Sequence, residues 1–212
     1  MHSLDYIRSP WSIETKSFEI IGSLMDFSAM DEPRKKIVKR VIHTTADFEY
    51  AKILHFSPDA IEVGLNTLRG GCTIISDTKM IQSGINKKAL GALGCEVKCF
   101  IDHPDVVALA KEQDITRSMA SMIVASKDPK NKIFVLGNAP TALFKLLELR
   151  EGKDFSPAFI IGVPVGFVGA EESKEALIST KIPQIATKGK KGGSTVAVAI
   201  VNALLYMLRE QG

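Results

Sequence analysis

At 212 residues the chain is long enough to bury one sizeable core, and it fits one α/β domain better than two. A hydrophobic content of 45% with 24% charged residues excludes a mostly disordered chain. The balance of 27 basic against 24 acidic residues, +3 in all, is too small to argue for nucleic-acid binding from charge.

The first residues, Met1-His2-Ser3-Leu4-Asp5, offer neither a basic stretch nor an apolar run, so no signal peptide is expected. Trp11, Ile13, Phe18, Ile21 and Leu24 then approximate one apolar helical face, with Glu14, Lys16 and Glu19 between them. A second helix starts at Asp31-Glu32-Pro33, an acidic cap with proline in the first turn, and runs through Ile37, Val38, Val41 and Ile42 towards His43. Ser57-Pro58 opens a third, which Gly70-Gly71 ends. Residues 1–70 therefore read as a helical N-terminal part.

From residue 71 the pattern changes. Short apolar runs at 72–76, 97–101, 133–136, 158–163 and 184–186 alternate with helical periodicity at 78–93, 104–126, 140–150 and 171–180. Such alternation marks a parallel sheet covered on both faces. The expected fold is a three-layer α/β/α, flavodoxin-like doubly wound sheet of about five strands, with a helical N-terminal extension. No long linker, repeat or low-complexity tract divides it, so residues 1–212 are expected to form a single domain. The last helix, 194–209, is apolar nearly all round and must be covered on several sides, by the rest of the chain or by a second subunit. Its apolar stretch is shorter than a membrane span and is interrupted by Asn202. Cys95 and Cys99 flank an apolar run and, with Cys72, form no zinc-type pair of pairs. They read as core cysteines of a reducing compartment, and the protein as cytoplasmic.

Ligands of open parallel sheets settle beyond the carboxyl ends of the strands. Three glycine-rich loops fall there, at 137–141, 162–169 and 187–195. Glycine admits close backbone approach, and helix starts favour anions, so the rim suits an extended, multiply anionic ligand. The 188–195 segment lacks the order Gly-x-x-x-x-Gly-Lys-Ser/Thr, and no dinucleotide fingerprint follows the first strand; it also reads as a solvated connection. His2, His55 and His103 form no ligand pair, so no protein-held metal is expected. His43 differs in having Arg40 three residues earlier, on the same helical face. Spacing alone favours a surface arginine and a packed histidine over a functional pair. The residues thus describe an α/β protein for a large anion, with one candidate acid or base.

The chain also resembles the precorrin-8X methylmutases of cobalamin biosynthesis, including their cobalt-pathway counterparts. The likeness is carried by Asp5-Tyr6-Ile7-Arg8, Ser17-Phe18, Arg40-Val41-Ile42-His43, Phe56-Ser57-Pro58-Asp59, Asp77-Thr78-Lys79-Met80 with Gly84, and Thr116-Arg117-Ser118. It is strongest in the runs Gly137-Asn138-Ala139-Pro140-Thr141 and Gly162-Val163-Pro164-Val165-Gly166-Phe167-Val168-Gly169, continuing to Glu171-Glu172-Ser173-Lys174, and closes with Gly192-Gly193-Ser194. The resemblance implies an isomerase that shifts a methyl group from ring carbon 11 to ring carbon 12 of a tetrapyrrole. The product would be hydrogenobyrinate, or cobyrinate where the substrate carries cobalt. It further implies a flavodoxin-like homodimer without an organic cofactor, with His43 as catalytic acid/base and Ser17, Arg40 and Arg117 as substrate contacts. Arg40 and Arg117 would then meet ring carboxylates, with Lys188, Lys190 and Lys191 adding attraction. The rival readings are a non-catalytic corrinoid carrier and a phosphate- or nucleotide-binding α/β enzyme.

Overall fold

The computed structural model describes residues 6–152 and 155–210; His2 and Asp5 lie outside them. The chain opens with α1 (Pro10–Leu24) and α2 (Glu32–Thr45). Each has proline in its first turn and a side-chain cap, from Ser9 and Asp31 respectively. Ala46, at φ 54°, closes α2 by donating its amide to the Ile42 carbonyl. Next come α3 (Tyr50–Ile53), β1 (Leu54–Phe56) and α4 (Ala60–Arg69). The doubly wound part follows as β2 (Thr73–Ser76), α5 (Lys79–Gly84), α6 (Lys87–Ala92), β3 (Glu96–Lys98), α7 (Pro104–Glu112) and α8 (Arg117–Ala125). It continues through β4 (Asn131–Leu136), α9 (Pro140–Glu151), β5 (Phe159–Gly162), α10 (Ala170–Ile178) and β6 (Gln184–Thr187) to α11 (Ser194–Glu210).

The sheet order is β1-β6-β5-β4-β2-β3. β2 to β6 are parallel in the flavodoxin-like arrangement expected, and β1 adds a sixth strand, antiparallel to β6. The N-terminal part is therefore not wholly helical. Strand periodicity divides the core cleanly. Ile74, Ile133, Val135, Phe159, Ile161 and Ile185 face α4 and α11. Ile75, Phe134, Leu136, Ile160 and Ala186 face α8, α9 and α10. Because both faces are covered, the central strands carry unbroken apolar runs.

α11 is covered within the chain, by α2, α4, α5 and α6 and by strands β4 and β5. Its apolar circumference therefore needs no second subunit. α1 packs on the outer side of α2, through Glu14, Phe18 and Ile21 rather than through the whole face expected from sequence. Trp11, Ile13 and Leu24 are exposed, since one helix neighbour covers only one stripe.

Two expected helices are each two. The 78–93 segment breaks at Ile85, where Asn86 caps α6 by accepting from the Ala89 amide. Asn202, the polar interruption of α11, holds this break: its Oδ1 accepts from the Asn86 amide at 2.9 Å and its Nδ2 donates to the Gly84 carbonyl at 3.1 Å. The 104–126 segment breaks at Asp114, in the left-handed region at φ 51°, before Thr116 caps α8. β3 ends at Lys98, earlier than residue 101, because Phe100 turns to pack between the helices and accepts from the His103 amide.

Phe159 is fully buried, and its ring lies against Gly64 of α4, where an added Cβ would fall 3.1 Å away. Phe159→Ala is expected to lower the unfolding free energy by about 3–5 kcal/mol in urea titration, the usual cost of an emptied aromatic site.

Candidate active site

β2 and β4 are neighbours in the sheet, but their onward connections leave to opposite sides, towards β3 and β5. That divergence opens a crevice at their carboxyl ends. Asp77 follows β2 at this point and is 2% exposed. Its carboxylate accepts three backbone amides of the loop after β4: Gly137 at 3.1 Å, Asn138 at 2.8 Å and Ala139 at 2.8 Å. Burial pushes the Asp77 carboxyl above the usual range, against the pull of those three donors. Thr78 caps α5 through the Ile81 amide and shares a 3.1 Å hydroxyl contact with Ser194, the first residue of α11.

Two glycines let the rim loops close on one another. A Cβ on Gly137 would fall 2.9 Å from the Ser194 Cα, and one on Gly192 would fall 2.1 Å from the Val163 carbonyl oxygen. The Gly193 amide donates to the Val163 carbonyl at 2.8 Å, and the Gly166 amide to the Lys190 carbonyl at 3.1 Å. The three loops expected on one rim are thus bonded into one structure.

Beside this rim lies the last turn of α2. Arg40 is half-buried, ion-paired with Glu14 of α1, and centred 4.9 Å from both the Phe18 and Tyr206 rings. His43 is exposed and meets Phe18 edge-on at 5.5 Å between ring centroids. Arg40 and His43 line a depression of about 250 Å³ with Met80, Gly84, Thr195 and Tyr206. Thr195 follows Ser194, and Met80 lies two residues beyond Thr78, so the depression continues into the rim. A second hollow of about 240 Å³ shares Arg40 and Tyr206 and adds Lys35, Lys36 and Lys39.

The structure brings Arg40 and His43 together against Phe18 of α1, to which Ser17 is the sequence neighbour, but not Arg117. Ser17 is half-buried on α1 beside Phe18. Arg117 is exposed at the start of α8, 3.9 Å from Asp102, which also pairs with Lys79 of α5. The rim lysines Lys188, Lys190 and Lys191 are all exposed, and Lys191 pairs with Asp47 and with Glu49 at 2.7 Å. The other described histidines hold local structure. His55 contacts Gln184 at 3.3 Å, and His103 caps α7. Cys72 and Cys95 are buried with sulfurs 3.8 Å apart, and burial pushes the Cys72 thiol up to about 12. Among the described residues, no three His, Cys, Asp or Glu side chains group as a metal site. Sequence reasoning missed the roles of Asp77, Glu14 and Tyr206. An acidic residue directly between a strand and a helix cap was the available signal for Asp77; the other two act across long sequence separations.

The chain has relatives of known family. The model of the precorrin-8X methylmutase family matches residues 12–207. The chain belongs to this family. A cobalt-precorrin-8 methylmutase of Salmonella typhimurium is 51% identical to it, over 98% of this chain and all of the relative. A precorrin-8X methylmutase of Pseudomonas aeruginosa is 38% identical, covering 95% of this chain and 97% of its own. A solved precorrin-8X methylmutase from Thermus thermophilus superposes with a TM-score of 0.88 at 39% identity, covering 95% of this chain and 98% of its own. The chain is accordingly a methylmutase, an isomerase of the cobalamin pathway.

The match spans both the α1–α2 face and the rim, including the clasp that Asp77 makes in this chain. Asp77→Asn would set an amide donor against backbone donors. Chemical denaturation is expected to show a loss of about 1.5–3 kcal/mol, the range for hydrogen bonds to a charged group.

Proposed function

We propose that this methylmutase moves a methyl group from ring carbon 11 to ring carbon 12 of precorrin-8X or cobalt-precorrin-8, giving hydrogenobyrinate or cobyrinate. The observation that carries the proposal is the pairing of exposed His43 with Arg40, in an aromatic-walled depression that opens onto the glycine-rich rim. The substrate is a flat macrocycle edged with carboxylates. Phe18 and Tyr206 offer apolar surface to its face, and Arg40 a planar fork to a carboxylate. Glu14 and the two rings hold that fork in place before the ligand arrives. Ser17 contacts the substrate from α1, and Arg117 reaches it from the far end of the rim.

The reaction breaks the bond from the methyl to carbon 11 and forms one to carbon 12 within one molecule, so every atom stays in the product. It resembles a sigmatropic shift and needs neither a nucleophile nor an external redox cofactor; cobalt, where present, arrives as part of the substrate. His43 supplies a proton, or a strong hydrogen bond, to a ring nitrogen. That makes the migration terminus electron-poor and traps the rearranged chromophore.

The whole chain acts as one domain, in the cytoplasm and as a homodimer. No helix among the described residues is long and apolar enough to cross a membrane. The exposed stripe of Ile13, Ile20 and Leu24 on α1 suits a second copy. A phosphate-binding reading is not favoured, because the family match over residues 12–207 is to methylmutases.

Purified protein incubated with metal-free and with cobalt-containing substrate is expected to change the absorbance spectrum of at least one; a protein that binds both without spectral change is a carrier. His43→Asn should slow the bound-state conversion by about 10²–10⁴-fold with product binding retained. Unchanged turnover in a folded variant would remove His43 from the chemistry. Arg40→Ala is expected to weaken product binding by about 10- to 100-fold in spectroscopic titration.

A further inference from the structure

Lys174 is a buried lysine that the proposed chemistry does not use. It projects from α10, is 0% exposed, and has no carboxylate within ion-pairing distance among the described residues. Its Nζ donates to the Lys191 carbonyl at 2.8 Å and to the Thr187 hydroxyl at 3.2 Å. The Thr187 hydroxyl donates to the same carbonyl at 2.7 Å, closing a triangle beneath the loop that joins β6 to α11. Burying an amine without a counter-ion is costly, so an apolar residue would serve packing better. Burial indeed lowers this amine to about 8, with Glu171 opposing from one turn earlier.

The loop held this way has a second anchor. The side chain of Lys191 reaches outward to Asp47 and Glu49, in the turn that follows α2. Lys191 is therefore gripped at its carbonyl from inside and at its ammonium from outside, and it ties the rim to the segment directly behind His43. Immediately beyond it, Gly192 and Gly193 pack on Val163, and Thr195 lines the His43 depression.

We propose that Lys174 is a positioning residue of the methylmutase reaction, which fixes the 188–193 loop, and through Lys191 the spacing between the rim and the His43 turn. The proposal rests on the reading that the rim and His43 hold one macrocycle between them. Without Lys174 the loop keeps its glycines but loses its inner anchor, so the ligand is held in a looser relation to His43.

The test compares wild type, Lys174→Met and Thr187→Val by thermal unfolding, by product titration and by kcat and KM, each corrected for the folded fraction. Lys174→Met is expected to unfold at or above the wild-type temperature, because an apolar side chain replaces an uncompensated buried amine. Its kcat/KM should nevertheless fall about 10- to 100-fold. Thr187→Val should move kcat/KM in the same direction by less, and it decides the matter if Lys174→Met fails to fold. A purely structural role would lower the unfolding temperature and leave kcat, KM and product affinity per folded molecule unchanged, which would overturn the proposal. Wild type active with both variants equally active ends the inference alone. Wild type inert towards both substrates ends the functional reading, and the inference with it.

Discussion

Burial of α11 on nearly every side is the constraint on which the rest of the structure depends. Ten of its side chains are buried, and they are apolar throughout. One side lies on β4 and β5, and the others are taken by α2, α4, α5 and α6. A helix so apolar cannot stand at the surface, so α2 must dock on it. That docking sets the last turn of α2 beside the first turns of α11 and α5. Arg40 and His43 thereby arrive at the carboxyl edge of the sheet, although they lie outside its doubly wound part. The packing of one helix places the candidate site.

The rim itself is built largely from backbone groups. Asp77 gathers three amides of the Gly137 loop, and Val163 accepts the Gly193 amide. Such bonds leave little freedom for the loops to reshape around a ligand, and they define a preformed edge. Positive charge is added sparingly. Lys188 and Lys190 face solvent, Arg117 lies near Asp102 at the start of α8, and Arg40 sits on α2. A chain of net charge +3 can thus present an anion-favouring edge without being basic as a whole. Arg40 is the most constrained of these cations, held between two rings and a carboxylate, with little rotamer freedom left to lose.

Much of the fold was legible because buried parallel strands leave a plain trace. Ile74-Ile75, the run 133–136 and Phe159-Ile160-Ile161 have no polar alternation to obscure them. What escaped notice depended on distant partners. β1 is three residues long and exists because β6 offers it an edge, and no local period announces it. The break between α5 and α6 is fixed by Asn202, 116 residues beyond Asn86. From sequence, that asparagine merely interrupted an apolar stretch. The site shows the same division. Arg40 and His43 could be paired from helical spacing, whereas Glu14 and Tyr206, which orient Arg40, come from other helices. The resemblance to methylmutases supplied the residue roles that spacing left open.

In the proposed reaction the His43 face and the glycine-rich rim grip one macrocycle together. A crystal structure of the product complex tests this most directly. The corrinoid should lie across Thr195, with a carboxylate on Arg40 and a ring nitrogen within hydrogen-bonding reach of His43. A ligand seated elsewhere, with residue 43 facing only solvent, would contradict it.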